Sequence, residues 1–498
     1  MSYQKLDQLN QTLHALEHAM SLLGADEATN MPTGGGEGRA TALSALSAMH
    51  HEKASAPIIA EWIDAAQNSD LNPEQQYALA EFKRLYEQRT CLPADFVGAK
   101  TKSAMASEQL WRQLRPTGDW KAFAPALGDV VKFAREEARM RSQNTGLKPY
   151  DAMIDQYDPG NKMADIDPVF AELKAFLKSF VPQALELQKQ RLAHRPLIPL
   201  NGPFPVEKQR ALGLAAMKQM GFDFNHGRLD TSHHPFCGGV PTDVRMTTRY
   251  HTDTFLPGLM GILHETGHAQ YEQGLPRKDA HWPHNKARGM GMHESQSLFV
   301  EMQIVRSPMF WKWAMPQVDE HLGEHVFKGW KIEDVLAHVN LIERGFIRVD
   351  ADEVTYPLHV ILRYEMEQDL VEGKMEVSHI PEAWNAKMEE YLGLSTLDNP
   401  ADGPMQDVHW PAGLFGYFPS YTLGALMAAQ QWASLVRQIP AAPQQIEQGN
   451  FSEINEWRSK NVWQKGSRFS TIQMMEQATG EPLNPAYFIA HLKNRYAS

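Results

Sequence analysis

Residues 257–274 read PGLMGILHETGHAQYEQG, and the rest of the chain is best read outward from them. The stretch contains His264-Glu265-Thr266-Gly267-His268, two histidines four residues apart. On an α-helix such residues lie on one face, one turn from each other, so both rings can reach a single metal ion. Pro257 suits the first turn of a helix and Gly274 its end. Leu259, Ile262 and Leu263 make the other positions apolar, as in a helix buried beside an active site. Glu265 then stands next to the metal, placed to take a proton from its bound water. Gly267 costs about 1 kcal/mol against alanine in mid-helix, which points to a close approach there. A five-residue motif also arises by chance in long chains, so its surroundings have to support it.

Two histidines leave a catalytic zinc short of its usual three protein ligands. A third histidine at position 274, with glycine at 271, would make the metzincin pattern. This chain has Tyr271 and Gly274 there. The remaining common donor is a carboxylate from a following helix. GMGMHESQSLFVEMQIVR (289–306) reads as helical from about residue 291 and offers His293, Glu294 and Glu301. Glu294 follows His268 at a distance that allows a loop and a return. Leu298, Glu301 and Val305 share its face, so Glu301 is a rival ligand and a solvated glutamate the bland alternative.

The 498 residues carry 48 Lys+Arg against 60 Asp+Glu, a net charge of −12 that argues against a nucleic-acid groove. Hydrophobic residues at 43% and charged residues at 22% indicate a globular chain. Only two cysteines, Cys91 and Cys237, occur in it, which fits a reducing compartment. The first twenty residues lack the apolar core of a signal peptide, and no run approaches the ~18–20 apolar residues of a membrane span. A soluble, cytoplasmic protein is expected. Apolar residues at spacings of three and four predict helices over 3–23, 39–66, 73–89, 94–115, 119–143, 167–193 and 205–220. Pro and Gly predict breaks at 24–40 and 146–168. VPTDVRMTTRYHTDTF (240–255), rich in Val, Thr and Tyr, marks the one β region, two or three short strands within 230–256. Helical patterns resume at 256, interrupted at 275–290, 307–316 and 399–420. No repeat or low-complexity linker divides the chain, so 1–498 is expected to be one mostly α catalytic unit, two lobes around a cleft.

Beyond the zinc motif, five further motifs stand in order along the chain. They are His234-Pro235-Phe236, Asp243-Val-Arg245-Met-Thr247, His293-Glu294-Ser295-Gln296, Ile347-Arg348-Val-Asp-Ala351-Asp352 and Gly403-Pro-Met-Gln406-Asp407-Val-His409-Trp410. With these, the chain resembles the thermostable metallocarboxypeptidases of the carboxypeptidase Taq type over its whole length, including stretches such as PYDAMIDQYDPG (149–160).

The resemblance implies a zincin-like fold, mostly helical with a small β-sheet beside the metal and a deep groove, assembled as a homodimer. It implies a gluzincin-type metal set of His264, His268 and Glu294. It also implies that Arg348 holds the substrate's terminal carboxylate, a planar bidentate match. The competing reading of Arg348 is a structural pair with Asp350 or Asp352. By analogy with related zinc peptidases, His409 and Tyr421 are candidates for oxyanion stabilisation, with Tyr417 the competitor of Tyr421. His234 and the Asp243/Arg245 pair are expected to shape the groove, or else to form a polar network bracing a loop. Two positions depart from pattern. Leu298 stands where some gluzincins carry an Asp that orients a metal histidine, so that partner must come from elsewhere, with Asp352 as one guess. Ala25-Asp26 stands where the family often has Trp-Asp, which leaves the N-terminal segment's role in closing the groove open.

The function expected is metal-dependent hydrolysis of the C-terminal peptide bond of peptides, with broad specificity and Glu265 as general base. Zn2+ is the expected metal, with Co2+ or Mn2+ compatible with the same ligands. An oligopeptidase or dipeptidyl carboxypeptidase with the same site is the nearest rival. A non-catalytic, metal-stabilised binding protein is the rival of a different class.

Overall fold

The computed structural model describes residues 2–233 and 235–497. Helices dominate it, with one three-stranded sheet among the described residues. The first helix, Ser2–Thr29, buries Leu6 and Leu13 against Ile59, Ile63, Leu79 and Phe82 of the helices Ile58–Gln67 and Pro73–Thr90. Trp282 closes this cluster. Polar links tie it to the rest of the chain: Trp282 Nε1 donates to Asp7 at 2.6 Å, and Arg288 pairs with Glu81 at 2.8 Å.

The breaks read from Pro and Gly are shorter than expected, for local reasons. At 24–40 the first helix runs on to Thr29 and the next starts at Gly36. Within 146–168 a short helix, Pro149–Ile154, precedes a long one, Met163–His194, that absorbs Pro168 near its start. The interruption expected at 307–316 is instead a helix, Pro308–Leu322. Pro308 occupies its first position, where no N–H is needed, and Ser307 Oγ accepts from Phe310 N at 3.3 Å.

The β region comprises β1 (Gly227–Thr231), β2 (Cys237–Val240) and β3 (Asp243–Thr248) in the order β1-β3-β2. β1 runs parallel to β3 and β2 antiparallel. Strand alternation sorts the side chains. Val244, Met246 and Leu229 pack on Ile262 and Ala269 of the motif helix Leu256–Gly274, while Asp243 and Arg245 are only partly buried.

Three helices meet where the chemistry-bearing residues lie: Leu256–Gly274, Gly289–Leu298 (continued by a π-helical turn, Phe299–Val305) and Pro419–Gln438. Two glycines permit the approach. A Cβ on Gly267 would stand 2.4 Å from Gln296 O and 2.6 Å from Ser297 Cα, and one on Gly424 2.7 Å from Glu294 Cγ. Gly267→Ala is therefore expected to lose about 1–3 kcal/mol by overpacking, despite alanine's better helix propensity. Gly24→Ala, in a helix with open space around that position, is expected to gain up to about 1 kcal/mol. Urea unfolding of both variants checks the pair.

Candidate metal centre

The motif helix presents His264 and His268 on one face, and Gly289–Leu298 brings Glu294 opposite them. One ligand atom from each lies within 4.8 Å of the others, and His268 Nε2 stands 3.3 Å from Glu294 Oε2. Glu301 is not in this cluster. Its π-helical turn puts Oε2 at 2.8 Å from His264 Nδ1, while Oε1 accepts from Arg306 Nη2 at 2.9 Å. The orienting partner of His264 is thus Glu301, seven residues after Glu294, and not Asp352. Asp352 accepts from the backbone of Val354 and Thr355 at 2.9 and 3.1 Å.

His268 Nδ1 faces His293 Nδ1 at 2.6 Å, and His293 Nε2 faces Glu272 Oε1 at 2.7 Å. From the sequence His293 is a candidate ligand, and Glu272 is not among the candidates. Its signal was there, since Glu272 lies one helical turn after His268.

Carboxylates crowd this site. Burial opposes a charge on His264, yet Glu301, Glu294 and Glu265 push its pKa up to about 10. Burial carries His268 the other way, down to about 4. Glu301 drops to about 2, because Arg306 and His264 outweigh the burial that would raise it. A set of two imidazoles and a carboxylate in so negative a surround fits a divalent cation. Glu265, 8% exposed, makes no hydrogen bond among the described residues, and burial pushes its carboxyl up. The free thiol Cys237 lies within electrostatic reach of Glu265 and Glu272.

A second cluster lies beyond Glu294. Arg348, 4% exposed, donates through Nε and Nη2 to Asp407 Oδ1 at 3.0 and 2.8 Å and through Nη1 to Tyr356 at 3.0 Å. Its structural carboxylate is therefore Asp407, not Asp350 or Asp352. Asp407 also accepts from Arg363 Nε at 2.6 Å. Burial alone would raise the Asp407 carboxyl, but Arg363 and Arg348 hold it well below the usual range. The Arg348 guanidinium sits 4.8 Å from the Tyr421 ring centroid. His409 Nε2 lies 3.1 Å from the Tyr421 hydroxyl, and burial lowers His409 to about 4, so its ring is neutral at pH 7. Tyr417 packs against Tyr421, ring centroids 5.3 Å apart.

Arg245 pairs with Asp243 at 3.0 Å, and Asp243 reaches His18 of the first helix at 3.3 Å. No bond joins Arg245 to Arg348 or to the metal group among the described residues. That pair serves as a link between the sheet and the N-terminal helix. His234 lies outside the described residues.

The model of the carboxypeptidase Taq (M32) metallopeptidase family matches residues 5–496. The chain belongs to that family. It is 36% identical to Thermostable carboxypeptidase 1 of Thermus thermophilus and 34% identical to Carboxypeptidase 1 of Bacillus subtilis, covering in each case all of this chain and 98% of the relative. The solved structure of Trypanosoma cruzi metallocarboxypeptidase 1 superposes with a TM-score of 0.97 at 39% identity, over 100% of this chain and 99% of that one. The M32 chain is accordingly a metal-dependent carboxypeptidase, and the expected mostly helical fold with a small sheet is the one observed.

In this M32 chain Asp407 neutralises two buried arginines at once. Asp407→Ala is expected to cost about 3–5 kcal/mol, the penalty of leaving buried charges uncompensated. Glu390→Ala, which breaks the exposed Lys178 pair, should cost no more than about 1 kcal/mol. Denaturant unfolding of the two variants measures the contrast.

Proposed function

We propose that this chain is a zinc carboxypeptidase that removes single residues from peptide C-termini with broad side-chain tolerance. The observation that carries the reading is that the metal group and the Arg348 cluster both pack against one helix, Pro419–Gln438. Tyr421 lies against Arg348, and Gly424, three residues on, touches Glu294. Three residues of helix rise only ~4.5 Å, so the two clusters are neighbours along that helix, which supports a cut close to a carboxylate held at Arg348.

His264, His268 and Glu294 would hold the metal. When bound, it lowers the pKa of a water toward ~7 and polarises the scissile carbonyl. Glu265, buried and without a hydrogen bond among the described residues, accepts the proton of the attacking water and delivers it to the leaving amine. Arg348 uses three of its five N–H donors on Asp407 and Tyr356. The remaining two are left for the terminal carboxylate. His409, neutral, shares a hydrogen bond between Nε2 and the Tyr421 hydroxyl, and the pair is assigned to stabilising the developing oxyanion. Arg245 and His234 are assigned to shaping the groove from sequence alone.

The whole chain acts as one catalytic unit in this reading, and family resemblance supports a homodimer. Two free cysteines support a cytoplasmic setting, and no helix among the described residues is long and apolar enough to cross a membrane. Cobalt or manganese would suit the same ligands.

Glu265→Gln is expected to keep stoichiometric zinc and lose about 10²–10⁴-fold in kcat. Turnover near wild type in the metal-loaded variant would remove the general-base assignment. Arg348→Ala is expected to depress cleavage of free-acid peptides far more than of C-terminal amides. Equal losses on both would end the clamp assignment. A time course by mass spectrometry should give a ladder of single-residue losses, whereas steps of two residues would favour the dipeptidyl reading.

A further inference from the structure

The two metal-site histidines are braced differently. His264 meets a carboxylate directly, through Glu301 at 2.8 Å. His268 meets another imidazole, His293, and only beyond it a carboxylate, Glu272. The direction of every proton in this second chain follows from its geometry.

His268 turns Nε2 toward Glu294, into the ligand cluster. A neutral imidazole that ligates through Nε2 carries its proton on Nδ1. That Nδ1–H points at His293 Nδ1, 2.6 Å away. Two ring nitrogens cannot both donate, so His293 Nδ1 holds a lone pair and its proton sits on Nε2. There Glu272 Oε1 accepts it at 2.7 Å. Each member thus sets the tautomer of the next, from Glu272 through His293 to His268.

We propose that Glu272 and His293 are positioning residues, a relay that holds His268 in the ligating tautomer and ring plane and so sets the metal affinity of the site. The proposal rests on the reading that His264, His268 and Glu294 hold the metal. Glu272 lies one turn beyond His268 on the same helix, and His293 bridges the two side chains. His293 also directly precedes Glu294, so the relay registers one ligand against the backbone of another. The His268 and His293 rings lie 4.7 Å apart, and the Tyr271 ring lies 5.4 Å from His293.

The test compares His293→Phe, His293→Asn and Glu272→Leu, the last made in both the wild-type and the His293→Asn chain. Phenylalanine fills the space but leaves His268 Nδ1–H without an acceptor. Asparagine puts Oδ1 close to where Nδ1 stood, accepts that hydrogen, and has no need of Glu272. The readout is the zinc dissociation constant of chelator-stripped full-length protein, by competition with a colorimetric chelator. Circular dichroism and thermal unfolding of the stripped proteins confirm the fold. His293→Phe is expected to bind zinc about 10–100-fold more weakly, and His293→Asn within about threefold of wild type. Glu272→Leu is expected to weaken binding about tenfold in the wild-type background and to add nothing to His293→Asn. Equal losses for Phe and Asn, unchanged affinity in His293→Phe, or a Glu272→Leu loss that persists in the asparagine background would each overturn the relay. A wild-type chain that binds no zinc would instead overturn the metal assignment beneath it.

Discussion

The close approach of three helices around Glu294 is the constraint on which the rest depends. Leu256–Gly274 supplies His264 and His268, Gly289–Leu298 supplies Glu294, and Pro419–Gln438 supplies Tyr421. Their separations decide whether these groups form one site or three. Gly267 and Gly424 remove the two side chains that would hold the helices apart. Arg458 ties two of them from behind, donating to Gln270 at 2.8 Å and to Gln296 O at 3.1 Å, with the Phe299 and Trp463 rings within 5 Å of its guanidinium. Burial lowers this arginine to about 9, and carbonyl acceptors and aromatic faces offset its desolvation.

Charge is divided between two neighbouring clusters in a way that net composition conceals. Glu265, Glu272, Glu294 and Glu301 gather around the two motif histidines, a surround that calls for a cation. On the other side of Glu294, Arg348 and Arg363 share Asp407, so two cations face one anion there. A peptide end has the opposite arrangement, a carbonyl to be polarised and a carboxylate to be held. The −12 of the whole chain says nothing of this, because both clusters together hold only a small part of the charged residues.

Much of the site was legible because its spacings are local. His264 and His268 are one turn apart, and so are His268 and Glu272. Such pairs meet on any regular helix. The strands were legible from β-branched alternation, although the sheet starts at Gly227 and ends at Thr248, earlier on both sides than expected. The proline-based breaks were overestimated at 307–316, because a proline preceded by serine begins a helix as readily as it ends one. Partners distant in sequence were not legible. Asp350 and Asp352 were natural partners for Arg348 by proximity along the chain, whereas the partner found, Asp407, is 59 residues away.

The sequence by itself determined which side chains are candidates for the chemistry: two histidines and a glutamate on a helix, a second carboxylate downstream, and an ordered run of motifs specific to one peptidase family. It could do so because residue identity and helical period are encoded locally. Only the tertiary structure decided what each carboxylate does. Glu294 and Glu301 lie on one helical segment and share a face by count, yet one enters the ligand cluster and the other stands behind His264. That division is made by how closely neighbouring helices pack and where a π-helical turn shifts the register, and both are properties of elements brought together from distant parts of the chain.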